Sequence, residues 1–256
     1  MIYPYWIPLK SIWTKEIKRF TRIWIQTLMP PVITMTLYFY IFGNLIGSQI
    51  KKIQGFNYIE FIVPGLIMMA VIYNSYTNVA SSFFNAKLQR SIEELLIAPI
   101  PTHIIIIGYV GGGVARGICV GFLLTLISML FVHFHVYSWL ITISIVLLTV
   151  TVFSLAGLLN ALFAKNFDDI SLIPTLIITP LSYLGGVFYS INLLPRLWQN
   201  LSKFNPIMYM ISGFRLGILG IQDVSLSITV VILITLIIIF YLLIWKLIQQ
   251  GYGLKN

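Results

Sequence analysis

The polarity of this chain changes in long blocks. Apolar runs over about 25–45, 58–80, 103–131, 139–163, 170–189 and 226–247 are separated by short polar breaks. Each is long enough for the roughly 20 residues that a bilayer-spanning helix needs. The blocks predict an all-α, polytopic membrane protein with six transmembrane helices.

Ahead of the first run the period shortens. Trp6, Leu9, Trp13, Ile17, Phe20 and Trp24 recur in steps of three and four, and Ser11, Lys15, Lys18 and Arg22 form the opposite face. A helix with Trp on one side and Lys/Arg on the other lies in the membrane interface. An interfacial helix is therefore expected within residues 1–24. The charged region is too long for a signal peptide, and no small-residue cleavage site follows it.

The most informative polar break is SSFFNAKLQRSIEELLIAPIPT, Ser81 to Thr102. Phe84, Leu88, Ile92, Leu95 and Leu96 fall at helical spacing, while Lys87, Arg90, Glu93 and Glu94 point elsewhere. Pro99 and Pro101 end the pattern. One compact amphipathic helix is expected here, in water and in contact with a soluble partner. Just before it, Asn74, Asn78, Ser81 and Asn85 share one helix face. Such a face should look at protein or water rather than lipid.

The third run carries GYVGGGVARG, Gly108 to Gly117. It lacks the Lys-Ser/Thr ending of a phosphate loop and follows no strand, so close packing or a bend is its expected role. Pro174, Pro180 and Gly185-Gly186 predict a bent fifth span. Residues 190–225 read as a broken outer hairpin: two short helices dipping into the membrane surface, interrupted at Asn205-Pro206, with Arg215 holding the hairpin or meeting an anionic headgroup.

Composition narrows the class. The chain is 59% hydrophobic and 9% charged, against about 25% charged for a soluble domain, which leaves no separate soluble domain. The net charge of +9 is scattered over loops and helix ends, so no nucleic-acid partner is expected. Lys10, Lys15, Lys18, Arg19, Arg22, Lys87, Arg90, Lys165, Lys246 and Lys255 fall on one side of the predicted membrane. Lys51, Lys52, Arg196, Lys203 and Arg215 fall on the other. The positive-inside rule then puts both termini in the cytoplasm. Cys119, the only cysteine, is read as a small core residue.

No catalytic constellation emerges. Glu93-Glu94 and Asp168-Asp169 are sequence neighbours, which point about 100° apart on a helix. His133 and His135 lack further ligands, so no metal site is expected. Glu60 is read as interfacial. Arg116 is an intramembrane charge that needs a partner; Asp168 or Asp169, a lipid headgroup, or snorkelling to the inner interface would each serve.

The order of these parts resembles the ATP-binding-cassette type-2 permeases, close to the short bacterial inner-membrane exporter permeases. RSIEELLIAPIP (Arg90–Pro101), GYVGGGVARG and FNPIMYMISGFR (Phe204–Arg215) carry the resemblance, which covers essentially the whole chain as one transmembrane domain, 1–256. It implies a dimer with a second copy, membrane lipids around it, and a separate ABC ATP-binding subunit that binds ATP and Mg. This chain would bind no cofactor and would not be the enzyme. The partner's groove would receive the coupling helix of the 81–102 segment, at about Phe84–Pro99, with Lys87, Arg90, Ile92, Glu93, Glu94 and Leu95 as contacts. Residues 1–24 would be the connecting helix, 25–80 spans one and two, 103–189 spans three to five, and 226–256 span six with a cytoplasmic tail. Asn205, Pro206 and Arg215 would belong to the hairpin that caps the path, and substrate would pass along spans one, two and five, with Asn74, Asn78 and Ser81 lining the inner part. The alternative is an ion-coupled secondary transporter. That class usually needs ionisable residues at the membrane centre and often shows inverted repeats; Arg116 is the one obvious candidate and no repeat is visible.

Overall fold

The computed structural model describes residues 5–47, 52–132 and 136–253. Every regular element among them is helical: α1 (Trp6–Arg22), α2 (Trp24–Tyr40) continued by a π-helix (Ile41–Ile46), α3 (Tyr58–Leu88), α4 (Ser91–Ile97), α5 (Thr102–Ser128) and α6 (Trp139–Phe163). Then come α7 (Phe167–Ile173), a π-helix (Pro174–Ile178), α8 (Thr179–Leu184), a short 3-10 turn (Ile191–Leu193), α9 (Arg196–Lys203), α10 (Pro206–Leu219) and α11 (Leu226–Gln249). His133 and His135 lie outside the described residues.

Five helices among the described residues are long and apolar enough to cross a membrane: α2 with the start of its π extension, α3, α5, α6 and α11. The fifth run expected from the sequence is instead three joined pieces, α7, π-helix and α8. Pro174 and Pro180 lack the N–H that an unbroken ladder requires. The wider π turn lies between them, and Thr179 closes it by donating its hydroxyl to the Pro174 carbonyl at 2.9 Å.

α3 is the axis of the bundle. It packs chiefly against α6 and α5, and nearly its whole length is buried. Its start is fixed by a capping box, in which Glu60 accepts from the Asn57 backbone N–H at 2.9 Å; this is the role of the interfacial Glu60. A side chain at Gly157 would collide with the Tyr76 backbone, so α6 approaches α3 closely only because that position is glycine.

The polar break is shorter than its sequence suggests. α3 does not end near Ala80 but continues to Leu88, and Ser82, Phe83, Phe84, Ala86 and Lys87 are buried. Phe83 packs edge-on to Tyr109, and Phe84 to Phe167. The chain then turns at Gln89-Arg90, where Arg90 adopts a left-handed φ of 58°, and only Ser91–Ile97 forms a separate helix. The outer hairpin also differs. α9 presents Leu197, Trp198 and Leu201 outward as a surface helix should. α10 does not lie on the membrane surface but is enclosed by α6, α3 and α11.

The two ends of the bundle are chemically distinct. Lys87 donates to the Leu162 and Ala164 carbonyls at 3.1 and 2.9 Å, and Phe163 stacks on Tyr252 near the tail. These contacts gather α4, the α6–α7 turn and the end of α11 at one end. At the other, Tyr58 donates to the Phe188 carbonyl and the Tyr137 N–H to the Ile218 carbonyl.

Candidate transport cavity and partner surface

The glycine run builds the first part of the site. α5 is an unbroken helix through Gly108–Gly117, so the glycines do not interrupt it. They form a groove in which α1 lies. A Cβ at Gly108 would stand 2.7 Å from Ile12, and one at Gly112 would stand 2.6 Å from the Cβ of Glu16. On the other side, Gly113 and Gly117 clear Ser154, Val150 and Ser75. The Trp13 indole N–H donates to the Ile107 carbonyl at 3.2 Å. α1 therefore serves two surroundings: Leu9, Trp13 and Phe20 of the predicted stripe turn towards protein, while Trp6, Ile17 and Trp24 remain exposed.

This seating buries a charge that the apolar stripe conceals. Glu16 is fully buried and accepts from the Ser82 hydroxyl and from Arg19, the latter at 3.3 Å. Arg19 also donates to the Asn78 side-chain oxygen at 2.9 Å and to its carbonyl at 2.8 Å. One turn along α3, Arg116 of α5 donates to the Asn74 side-chain oxygen at 2.9 Å and to the Thr27 carbonyl at 3.2 Å. Thr27 is available because Pro31, four residues on, has no N–H to bond it. The asparagine face read from the sequence thus holds two arginines. Arg116 meets neither Asp168 nor Asp169. The Asp169 carboxylate instead accepts from the Lys165 and Asn166 N–H groups at 2.8 and 3.2 Å, which hold it below the usual carboxylate range.

Beside Arg116 a cavity of about 360 Å³ lies between α2, α3, α5 and the π/α8 segment. Pro30, Pro31, Thr34 and Met35 come from α2, Met69, Ala70, Tyr73 and Asn74 from α3, and Ile178, Thr179 and Ser182 from the fifth run. Of the three residues expected to line a path, Asn74 borders this cavity. Asn78 is sealed into the Arg19 cluster, and Ser81 is half-buried, donating to the Asn78 carbonyl at 3.2 Å. Cys119 is exposed on the outside of α5 and is not a core residue.

The six residues expected to meet an ATPase are divided by the fold. Lys87 and Ile92 are buried, and Leu95 packs against the core. Arg90, Glu93 and Glu94 are exposed, and Ile97 at the free end of α4 is 84% exposed. The apolar stripe therefore fixes α4 to the bundle, while its acidic face and Ile97 are offered outward. Phe84 and Lys87 belong to α3.

The outer hairpin is held from within. Asn205 caps α10 by accepting from the Ile207 N–H at 3.0 Å and donates to the Leu181 carbonyl at 2.6 Å. Pro206 occupies the first helical position, where its missing N–H removes no bond. Arg215 is 1% exposed; it pairs with Asp223 at 3.2 Å, donates to the Gly186 carbonyl at 2.8 Å and stacks over Phe61 at 3.9 Å. It locks the hairpin and does not reach the lipid.

Glu16 and Arg19 were not singled out by the sequence reading. Glu16 is the only acid in the first 24 residues and falls in step with Ile12 and Phe20. A lone acid on the protected face of a basic helix was the available signal.

An apolar helix bundle with a cavity between α2, α3, α5 and the π/α8 segment, and a short helix fixed outside it, fits a membrane transport permease. The family model described as ABC-2 type transporter matches residues 8–219, and the chain belongs to that family. It is 66% identical over 256 residues, all of both chains, to the inner membrane transport permease YadH of Escherichia coli (strain K12). It is 21% identical over 223 residues, 86% of each chain, to nodulation protein J of Rhizobium leguminosarum bv. viciae.

Proposed function

We propose that this chain is the transmembrane subunit of an ATP-driven exporter in the bacterial inner membrane. It works as a dimer and is driven by a separate ATP-binding subunit that carries ATP and Mg. The observation that carries this reading is α4: a helix fixed by its apolar side to α3, with Glu93, Glu94 and Ile97 free to meet a partner. A short helix anchored to span ends transmits a rigid-body push rather than absorbing it, and charges on its free face set register with a partner groove. The connected pieces from Phe167 to Leu184 act as the remaining crossing, giving six spans. Both termini then lie on the cytoplasmic side with α4, in keeping with the excess of Lys and Arg there. The cavity between α2, α3 and α8 is the inner part of the path, formed by spans one, two and five.

Co-expression with candidate ATP-binding subunits tests the assignment. A stable complex with two copies of each chain is expected from detergent extracts. Failure of every candidate ATP-binding subunit to co-purify would overturn it.

A further inference from the structure

The cavity beside Arg116 has an unbalanced charge. Arg116 is held by a side-chain amide oxygen and a backbone carbonyl, both neutral. Its Nε is buried without a hydrogen-bond partner. One turn away, Arg19 has Glu16 as counter-ion, whereas Arg116 pairs with no carboxylate among the described residues. A cation at membrane depth is retained where it pairs with something, and a planar guanidinium fork suits phosphate or carboxylate oxygens.

The depth of the cavity gives the rest of the ligand. Glu16 of α1 seats on Gly112, and Arg116 lies one helical turn further into α5. The interfacial α1 rests at the headgroup and acyl boundary, so Arg116 stands just on the acyl side of it. The wall opposite is apolar, with Pro31, Met35, Met69 and Ile178. Pro30 and Thr34 are exposed, so the cavity opens sideways between α2 and α8. Gln26 and Tyr73, both at the cavity, supply further donors.

We infer that this cavity binds a single anionic amphiphile. Its phosphate or carboxylate head is anchored on Arg116, and its apolar tail leaves between α2 and α8. This rests on the reading of the cavity as part of the transport path. The same chemistry is carried by an anionic bilayer lipid and by an exported amphiphile.

The test uses the full purified chain and a matched pair of probes, dodecyl phosphate and dodecylphosphocholine, with bound ligand counted by native mass spectrometry. One dodecyl phosphate per chain is expected, about tenfold tighter than its zwitterionic match, as one charge-assisted hydrogen bond would give. Arg116→Gln removes the preference and Arg116→Lys keeps part of it. Thr34→Trp leaves every Arg116 contact in place and blocks both probes, so the inference stays testable if Arg116→Gln fails to fold. Equal binding of the two probes, or a preference that survives Arg116→Gln or Thr34→Trp, overturns it. Inorganic phosphate competing as well as dodecyl phosphate overturns the amphiphile.

Two further arms identify the source. Retention of phosphatidylglycerol over phosphatidylcholine from mixed nanodiscs supports a resident lipid. Stimulation of ATP turnover by dodecyl phosphate in the reconstituted complex supports cargo. The binding arms need no ATP-binding subunit, so the site and the exporter assignment can fail separately.

Discussion

Arg19 of α1 donates to both oxygens of Asn78 on α3, at 2.9 Å to the side chain and 2.8 Å to the backbone. α1 is thus tied to α3 by a polar clamp as well as by apolar contact. The same arginine neutralises Glu16, which is fully buried. Removing one partner of a buried pair leaves an uncompensated charge, at a cost of several kcal/mol. Arg19→Ala should therefore destabilise the protein by about 3 kcal/mol, read as thermal unfolding in detergent. Adding Glu16→Gln should recover most of that loss, a non-additivity that a double-mutant cycle measures.

The Gly112 position predicts a steric effect. A Cβ there would lie 2.6 Å from that of Glu16, so Gly112→Leu should lift α1 from α5 and destabilise by about 1–3 kcal/mol. Cysteines replacing Ile12 and Gly108 provide the readout in a Cys119→Ser background. The two positions face each other across the groove, and oxidation should link them, given the short Cβ separation a disulfide needs. Gly112→Leu should suppress the link.

The turn between α6 and α7 should be acid-sensitive. Asp169 is an exposed carboxylate whose bonds to two backbone N–H groups hold its pKa below the ordinary 3.8. A carboxylate with a depressed folded pKa stabilises above its unfolded pKa, and that stability is lost as pH falls through the folded value. The protection of the Lys165 and Asn166 amides against hydrogen exchange, relative to the free-peptide rate at each pH, should fall at pH below the usual Asp range. Asp169→Asn should show faster exchange already at neutral pH.

Much of this arrangement was legible in the sequence, and the misses share one cause. The long apolar blocks, the amphipathic helix α1 and the break at Asn205-Pro206 follow from periodicity and helix-boundary rules. The end of α3 did not, because Ser82 and Lys87 look like an exit into water. In the fold Ser82 serves Glu16, and Lys87 bonds the terminal carbonyls of α6, so neither needs solvent. Periodicity places a residue on a face but does not reveal the partner that face will meet. The same gap hid the two arginines that the asparagine stripe holds: Asn78 is sealed against Arg19, while Asn74, bonded to Arg116, borders the cavity. It also put Ile92 and Leu95 on the outward side of α4, because the stripe from Phe84 to Leu95 runs across the bend at Arg90.

The outer hairpin should be the least tolerant of charge removal. Arg215 and Asp223 are 1% and 3% exposed, and breaking a buried pair costs about 3–5 kcal/mol. Arg215→Met and Asp223→Asn should each lower the unfolding temperature sharply, and the double variant should fall short of their sum. The loss of the Arg215 to Gly186 bond should also raise hydrogen exchange at the end of α8.

We propose that a partner ATPase drives the spans through the outward face of α4. ATP turnover by the reconstituted complex in proteoliposomes tests it most directly. Glu93→Lys with Glu94→Lys should abolish co-purification and return turnover to the rate of the ATP-binding subunit alone. Glu60→Gln, at the far end of α3, should leave both unchanged. Turnover and complex formation that survive the double reversal at full level would contradict the account.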